Sequence, residues 1–327
     1  MMKRGWVLIA VVLLGAPLVI QGPFYQRMIT LVLLSAISAS AWNLVGGYAL
    51  QISIGHAVFF GVGAYTPLVF YQHWGLVPLA GIPVALLISV AVAVVVGTPT
   101  FRLRGHYFAM TTLAVAELVR IVVTNWNFVG GAVGQMGPAV PRTVWDLTFR
   151  SSVPYYYLFL GVLAVLLGLT YWLSLNRMGY YLRAIGADER AARSLGVPVL
   201  RYKLIAFMLS AGFTSLAGSL YALMVGFIDP TSGFGILISV EIVITAALGG
   251  AGTLLGPLLG AVILVPLQTM TNSLFGGGGT GLTYILYGGI IIVIARFEPG
   301  GLLQIWRRLQ FRRAQGTVQR EEVGRAA

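Results

Sequence analysis

The sequence predicts an all-α polytopic integral membrane protein of about ten transmembrane helices, within a range of eight to ten. Three observations predict it. Of the 327 residues, 58% are hydrophobic and only 9% are charged, against about 25% charged in an ordinary soluble protein. Apolar runs of about twenty residues, the length that crosses a hydrocarbon layer, recur along the whole chain. The basic residues gather on alternate connections, as membrane topology demands. A soluble core of this size could not hide so much apolar surface.

The candidate spans, in order, are 6–20, 28–45, 55–72, 76–97, 107–124, 154–175, 204–226, 233–250, 254–275 and 280–296. The opening "MMKRGWVLIAVVLLGAPL" has the basic start and apolar stretch of a signal peptide. No clear small-x-small cleavage site follows, so a retained first span is favoured, and cleavage would leave the sides of all later loops unchanged. With the start inside the cell, segments 1–5, 46–54, 98–106, 176–203, the turn near 251–253 and the tail after 296 are cytoplasmic. The outer segments then hold only Arg27, Arg142 and Arg150, while Arg120 lies within a span. This places both termini in the cytoplasm and accounts for the net charge of +12 without nucleic acid. Residues 1–296 form the membrane domain, and 297–327 form a basic tail. The tail reads either as an amphipathic surface segment, with Leu302, Trp306 and Phe311 meeting lipid tails and Arg307 and Arg308 anionic headgroups, or as a disordered basic end. The longest outer segment, 125–154, is rich in Gly, Pro and aromatics and reads as a structured loop capping an opening. Trp42, Trp126, Trp145 and Tyr155 to Tyr157 fall near span ends and read as interface belts.

Charge concentrates between two of these spans. The stretch from Asn176 to Lys203 carries eight charged residues between purely apolar neighbours. Within it, Asp188 and Glu189 precede Arg190 and Arg193, an order that suits the helix dipole. Glu189 and Arg193 stand i,i+4 in the favourable sense. Gly196 offers a left-handed C-terminal position and Pro198 prevents continuation. The pattern predicts about two turns of helix over 188–195, with Ala191, Ala192 and Leu195 as a small apolar face. One reading is a topological anchor; the other is a protruding knob that seats in a partner's groove.

Inside the spans, Gly252, Gly256 and Gly260 recur at four-residue spacing, as do Ala211, Ser215 and Ser219. Small faces of this kind let membrane helices pack closely. Ionisable residues within a membrane are expensive and are candidates for function. Glu117 is three residues from Arg120, so the two make either a neutralised pair or part of a path. Glu241 lies in a span otherwise free of charge, and His56 follows the glycine-bearing break "QISIG". Asn43, Gln51 and Ser53 are polar candidates of the same kind for a translocation pathway. Catalytic chemistry finds no footing. There is no cysteine, His56, His73 and His106 are scattered without metal-ligand spacing, and no Gly-x-Ser-x-Gly elbow occurs. No catalytic residue and no metal site is expected.

The stretch "RAIGADERAARSLGVPVLRYKLIAFMLSAGFTSLAGSLYA" resembles the cytoplasmic loop and following helix of ABC-transporter permeases for branched-chain amino acids, the M-type subunit. "NLVGGYALQISIGHAVFFGVGAY", "RLRGHYFAMTTLAVAELVR", "GFIDPTSGFGILISVEIVITAALGGAGTLLGPLLGA" and "LYGGIIIVIARFEPGGL" agree in the same order. The resemblance implies an ABC importer permease bundle in the bacterial inner membrane, with Asp188 through Gly196 as the coupling helix that inserts into an ATPase. The wider importer signature begins Glu-Ala-Ala; Ala191, Ala192 and Gly196 match it, but Arg190 stands in the Glu position. No Gly-x-x-x-x-Gly-Lys-Ser/Thr loop occurs, so no cofactor is expected on this chain, and ATP and Mg would belong to two separate ATPase subunits. The other implied partners are an H-type permease, an extracytoplasmic solute-binding protein and membrane lipids. Branched-chain or related amino acids are the implied solutes, with urea or amides as an alternative. A rival of another class is a proton- or ion-coupled transporter with Glu117 and Glu241 as its carriers.

Overall fold

The computed structural model describes residues 13–20, 22–103, 105–138 and 144–274, together with 281, 285, 288, 289, 292, 301 and 302. Residues 13–19 are helical. The elements that follow are α1 (Pro23–Gly46), α2 (Ala57–Trp74), α3 (Pro78–Thr100), α4 (His106–Thr124), β1 (Gln135–Met136) and α5 (Ser152–Leu175). Then come α6 (Arg177–Ala187), α7 (Glu189–Ser194), α8 (Val199–Val225), β2 (Phe227–Ile228), α9 (Pro230–Phe234), α10 (Ile236–Gly249) and α11 (Gly256–Leu274). The fold is the all-α polytopic class. Among the described residues, six segments are long and apolar enough to cross a membrane: α1, α3, α4, α5, α8 and Pro230–Gly249, which joins α9 to α10. Residues 6–12 of the predicted first span, most of the tenth and most of the 297–327 tail lie outside the described residues.

Burial sorts the helices. α1, α2 and α8 are the inner helices, each with more than half of its residues buried. α3, α4 and α5 turn broad apolar faces outward, through Leu87, Val95, Leu118 and Val165 among others. Such faces suit lipid, because every backbone group is already bonded within its helix. α8 packs on α2, α3 and α1, and α11 packs on α1 and α10.

Close crossings are made by small residues. A Cβ on Gly63 of α2 would strike the Ser215 carbonyl of α8, and one on Gly218 would strike the Phe60 carbonyl. Ser219 Oγ donates to the Gly63 carbonyl at 2.8 Å. With no hydrophobic drive between helices in lipid, such close backbone approach is a main source of cohesion. Gly256 and Gly260 act similarly, meeting the Gly250 and Thr245 carbonyls. Gly252 does not share their helix face. α11 begins at Gly256, and Gly252 sits in the preceding turn at φ 78, because that turn must reverse the chain against Gly47.

The aromatic belt reading also needs correction. Trp42, Tyr155 and Tyr156 are buried, and only Tyr157 of the tyrosine run is exposed. Trp42 Nε1 donates to the Ser53 carbonyl at 2.8 Å, and Tyr155 Oη donates to the Leu147 and Leu223 carbonyls. Proximity to a span end did not reveal these inward partners.

Candidate functional site

Two ends of the bundle can be distinguished. One carries α6 and α7; the other carries the 125–151 segment, the β1–β2 ribbon and α9.

At the first end, Asp188 caps α7, accepting from the amides of Arg190 at 2.7 Å and Ala191 at 3.2 Å. Gly196 takes φ 81, ending the helix as its position requires. The predicted face is split, however. Ala192 is buried at 2% exposure in a cluster with Ile185, Val197 and Val199, while Ala191 is exposed and Leu195 is 84% exposed. Glu189 also turns inward. It accepts from Arg193 at 2.9 Å and from Lys203 of α8 at 2.6 Å, and the Lys203 side chain is 1% exposed. The Lys203 ammonium lies 5.8 Å from the Phe101 ring centroid. α7 is thus pinned to the first turns of α8, presenting Arg190, Ala191, Arg193 and Leu195 outward. Sequence reasoning passed over Lys203; its signal is the second of two cations, Arg201 and Lys203, opening an apolar span fourteen residues after an acid.

α6 buttresses this knob. Its Leu182 and Ile185 are buried. Arg183 donates to the Ser174 carbonyl at 3.2 Å and lies 6.0 Å from the Tyr48 ring. Burial pushes the Tyr48 phenol up, with the Arg183 charge pulling the other way.

The break after α1 enters the bundle. Residues 49–55 are non-helical, and side chains of neighbouring helices reach backbone groups there and at the first turn of α2. Thr112 Oγ1 accepts from the Ile54 amide at 3.0 Å, and Ser239 Oγ accepts from the Ala57 amide at 2.8 Å. Irregular backbone inside a membrane protein is tolerated where protein covers it in this way. Ser53 and His56 are fully buried here, with His56 Nε2 2.8 Å from Ser210 Oγ. Gln51 lies earlier on the same segment, 3.5 Å from the Ala49 carbonyl. Asn43 clamps the α10–α11 turn: its Nδ2 donates to the Thr253 carbonyl at 2.8 Å, and its Oδ1 accepts from the Gly252 amide at 2.7 Å. Asn43→Ala leaves both backbone groups without that partner, at a cost of about 1–3 kcal/mol each. The thermal midpoint of purified protein is expected to fall by several degrees, with Asn43→Asp intermediate because it keeps only the acceptor.

The two intramembrane acids lie apart. Glu117 pairs with Arg120 on α4, with side chains 42% and 28% exposed. Glu241 lines a cavity of about 580 Å³ between α1, α2, α8, α9, α10 and α11, together with Ser35, Tyr221, Gln268 and Asn272.

At the second end, Gln135 and Met136 pair antiparallel with Ile228 and Phe227. His73 stacks on Phe128 at 4.4 Å, and Gln72 Nε2 donates to the Met136 carbonyl at 3.1 Å. Asp229, just ahead of the Pro230–Gly249 span, forms a capping box with Ser232. Burial pushes its carboxyl up, but hydrogen bonds from Thr231 and Ser232 outweigh this and hold it below the usual carboxylate range. The 125–151 segment is a structured strap wherever it is described.

A helical bundle with a pinned, charged knob at one end and a part-polar cavity within fits a membrane permease. The family described as "Branched-chain amino acid transport system / permease component" matches residues 24–295. The chain is 30% identical over 301 residues to the high-affinity branched-chain amino acid transport system permease protein LivM of Salmonella typhimurium, covering 85% of this chain and 69% of that protein. The Escherichia coli K12 LivM is 30% identical over 302 residues, with the same coverage. Among solved structures, PsaBC from Streptococcus pneumoniae in complex with Fab aligns over 92% of this chain and 99% of that one. The TM-score is 0.44 and the identity 19%. The chain belongs to the branched-chain amino acid transport permease family, and it is a LivM-like permease subunit of an ABC importer.

Proposed function

We propose that this permease half passes branched-chain or closely related amino acids inward, with the α6–α7 end and both termini in the cytoplasm. An extracytoplasmic binding protein delivers the solute to the strap end. An H-type permease supplies the second half, and two ATPase subunits, which use the ATP and Mg, grip α7. The observation that carries this reading is the joint between α7 and α8: Glu189 ties the exposed knob to Lys203, and α8 runs unbroken from there to the β1–β2 ribbon. The placement of the basic residues supports the orientation. The solute rests on the relatives named above. The gradient-driven alternative draws little support, since Glu117 sits beside Arg120 on a half-exposed face of α4 rather than with Glu241.

The test is leucine uptake into proteoliposomes carrying the assembled complex, with binding protein outside and ATP inside. Uptake is expected to require ATP hydrolysis, to survive a protonophore, and to be competed by isoleucine and valine but not urea. Uptake that survives an ATPase-dead partner and collapses with the protonophore would overturn the reading.

A further inference from the structure

The elbow between α7 and α8 holds a groove of about 680 Å³ whose lining is apolar apart from Arg193 and Arg201. Every lining residue lies between 193 and 208, so among the described residues no other helix closes it. Leu200, Leu204 and Met208 recur at four-residue spacing, and Ile205 follows Arg201 by one turn, which makes one stripe along α8. From Arg201 to Met208 the stripe runs about 10 Å at 1.5 Å per residue. A smaller recess adjoins the groove, sharing Arg193, Val199 and Leu200 and adding Arg102 from the turn after α3. Charge at this mouth is unbalanced. Arg102 and Arg201 are exposed, and among the described residues neither has an ion-pair partner. The acid beside them, Glu189, is already held by Arg193 at 2.9 Å and Lys203 at 2.6 Å.

We propose that this groove seats one anionic phospholipid. Arg201 and Arg193 receive its phosphate, Arg102 adds to the local positive charge, and one acyl chain lies along Leu204, Ile205 and Met208. The depth of each group fits this occupant. The membrane span read from the sequence begins at residue 204, so the guanidinium groups stand at headgroup level and the apolar stripe lies among lipid tails. Guanidinium forks pair well with phosphate oxygens, and basic pockets at the end of a span favour anionic headgroups. Water cannot wet the apolar stripe without cost, and a tail covers it at no cost in hydrogen bonds. Cations without carboxylate partners, running directly into an apolar stripe, are complementary to the two-part chemistry of a phospholipid. The site does not depend on which solute passes through the bundle.

The test uses the assembled complex in phosphatidylcholine vesicles. These contain a trace of photoactivatable phosphatidylglycerol or, separately, of phosphatidylcholine carrying the same diazirine acyl chain. After illumination, the labelled peptides are mapped. The phosphatidylglycerol probe is expected to label residues 200–208 far more heavily than the phosphatidylcholine probe. On the exposed α3 face around Leu87 and Val95 the two probes are expected to label alike. The double variant Arg102→Gln, Arg201→Gln is expected to cut phosphatidylglycerol labelling of 200–208 by roughly twentyfold, since each arginine near an anionic lipid surface contributes about fivefold. Equal labelling of 200–208 by the two probes overturns the proposal, and that comparison uses the parent protein, so it holds even if the variant fails to fold. Labelling at Leu87 and Val95 with none at 200–208 overturns it too, and means that a protein subunit fills the groove.

Discussion

Gly63→Val is expected to yield no folded protein. The missing Cβ of Gly63 faces the Ser215 backbone carbonyl, and that of Gly218 faces the Phe60 carbonyl across the same crossing. Each obstruction is main chain, which cannot rotate aside as a side chain can. Overpacking a core typically costs about 1–3 kcal/mol. Here it would also separate Ser219 from the Gly63 carbonyl and open the contact between α2 and α8, around which the bundle is built. The measurement is recovery of monodisperse protein from detergent, with Gly168→Val as control. Gly168 lies on exposed α5 with open space where its Cβ would go, so its variant should purify like the parent. Normal recovery of Gly63→Val would mean that the crossing is looser than its geometry implies.

The second large effect concerns force transmission. Glu189→Gln removes the anion that Lys203 faces, leaving a cation at 1% exposure without this counter-charge. Breaking one partner of a buried pair costs about 3–5 kcal/mol, whereas replacing both with apolar groups is often neutral. The single variant is therefore expected to loosen α7 from α8: ATPase subunits still co-purify through Leu195 and the exposed arginines, and hydrolysis continues, but uptake falls at least tenfold. The double variant Glu189→Met, Lys203→Met is expected to recover much of the uptake, because an apolar pair can hold the same joint. If Glu189→Gln transports normally, the joint carries no force. If the double variant fails as badly as the single one, the charges matter for more than attachment.

Much of this was legible in the residues, and what was not has physical reasons. Apolar runs show span positions because lipid leaves a chain few alternatives, so α3, α4, α5 and α8 fall close to expectation. The short helix in the charged loop was legible from its acid-before-base order and its stop at Gly196 and Pro198, although Asp188 caps it from outside rather than beginning it. Its orientation was not legible. A helix of six residues has no periodicity from which to tell that Ala192 faces inward and Leu195 outward. The consequence is practical: a bulky change at Ala192 tests folding, and one at Leu195 tests docking. α6 was missed because its charges masked the spacing of Met178, Leu182 and Ile185. Glu117 and Glu241 already differ in sequence, since only Glu117 has a cation three residues on. What packing adds is that Glu241 lines a cavity shared by six helices. Gly252 was misplaced because a turn glycine and a packing glycine can share one spacing.

The continuity of α8 has a thermodynamic consequence. Its 27 residues span about 40 Å at 1.5 Å per residue, with Lys203 near one end and the β1–β2 ribbon just beyond the other. Any subunit that prefers one position of α7, and any that prefers one position of the ribbon, compete for or share the same conformational equilibrium. Linkage then requires reciprocity: the factor by which solute-loaded binding protein alters the grip of the ATPases must equal the factor by which the ATPases alter the grip on the binding protein. In the proposed arrangement, one unbroken helix would make loading and powering two readings of a single free energy.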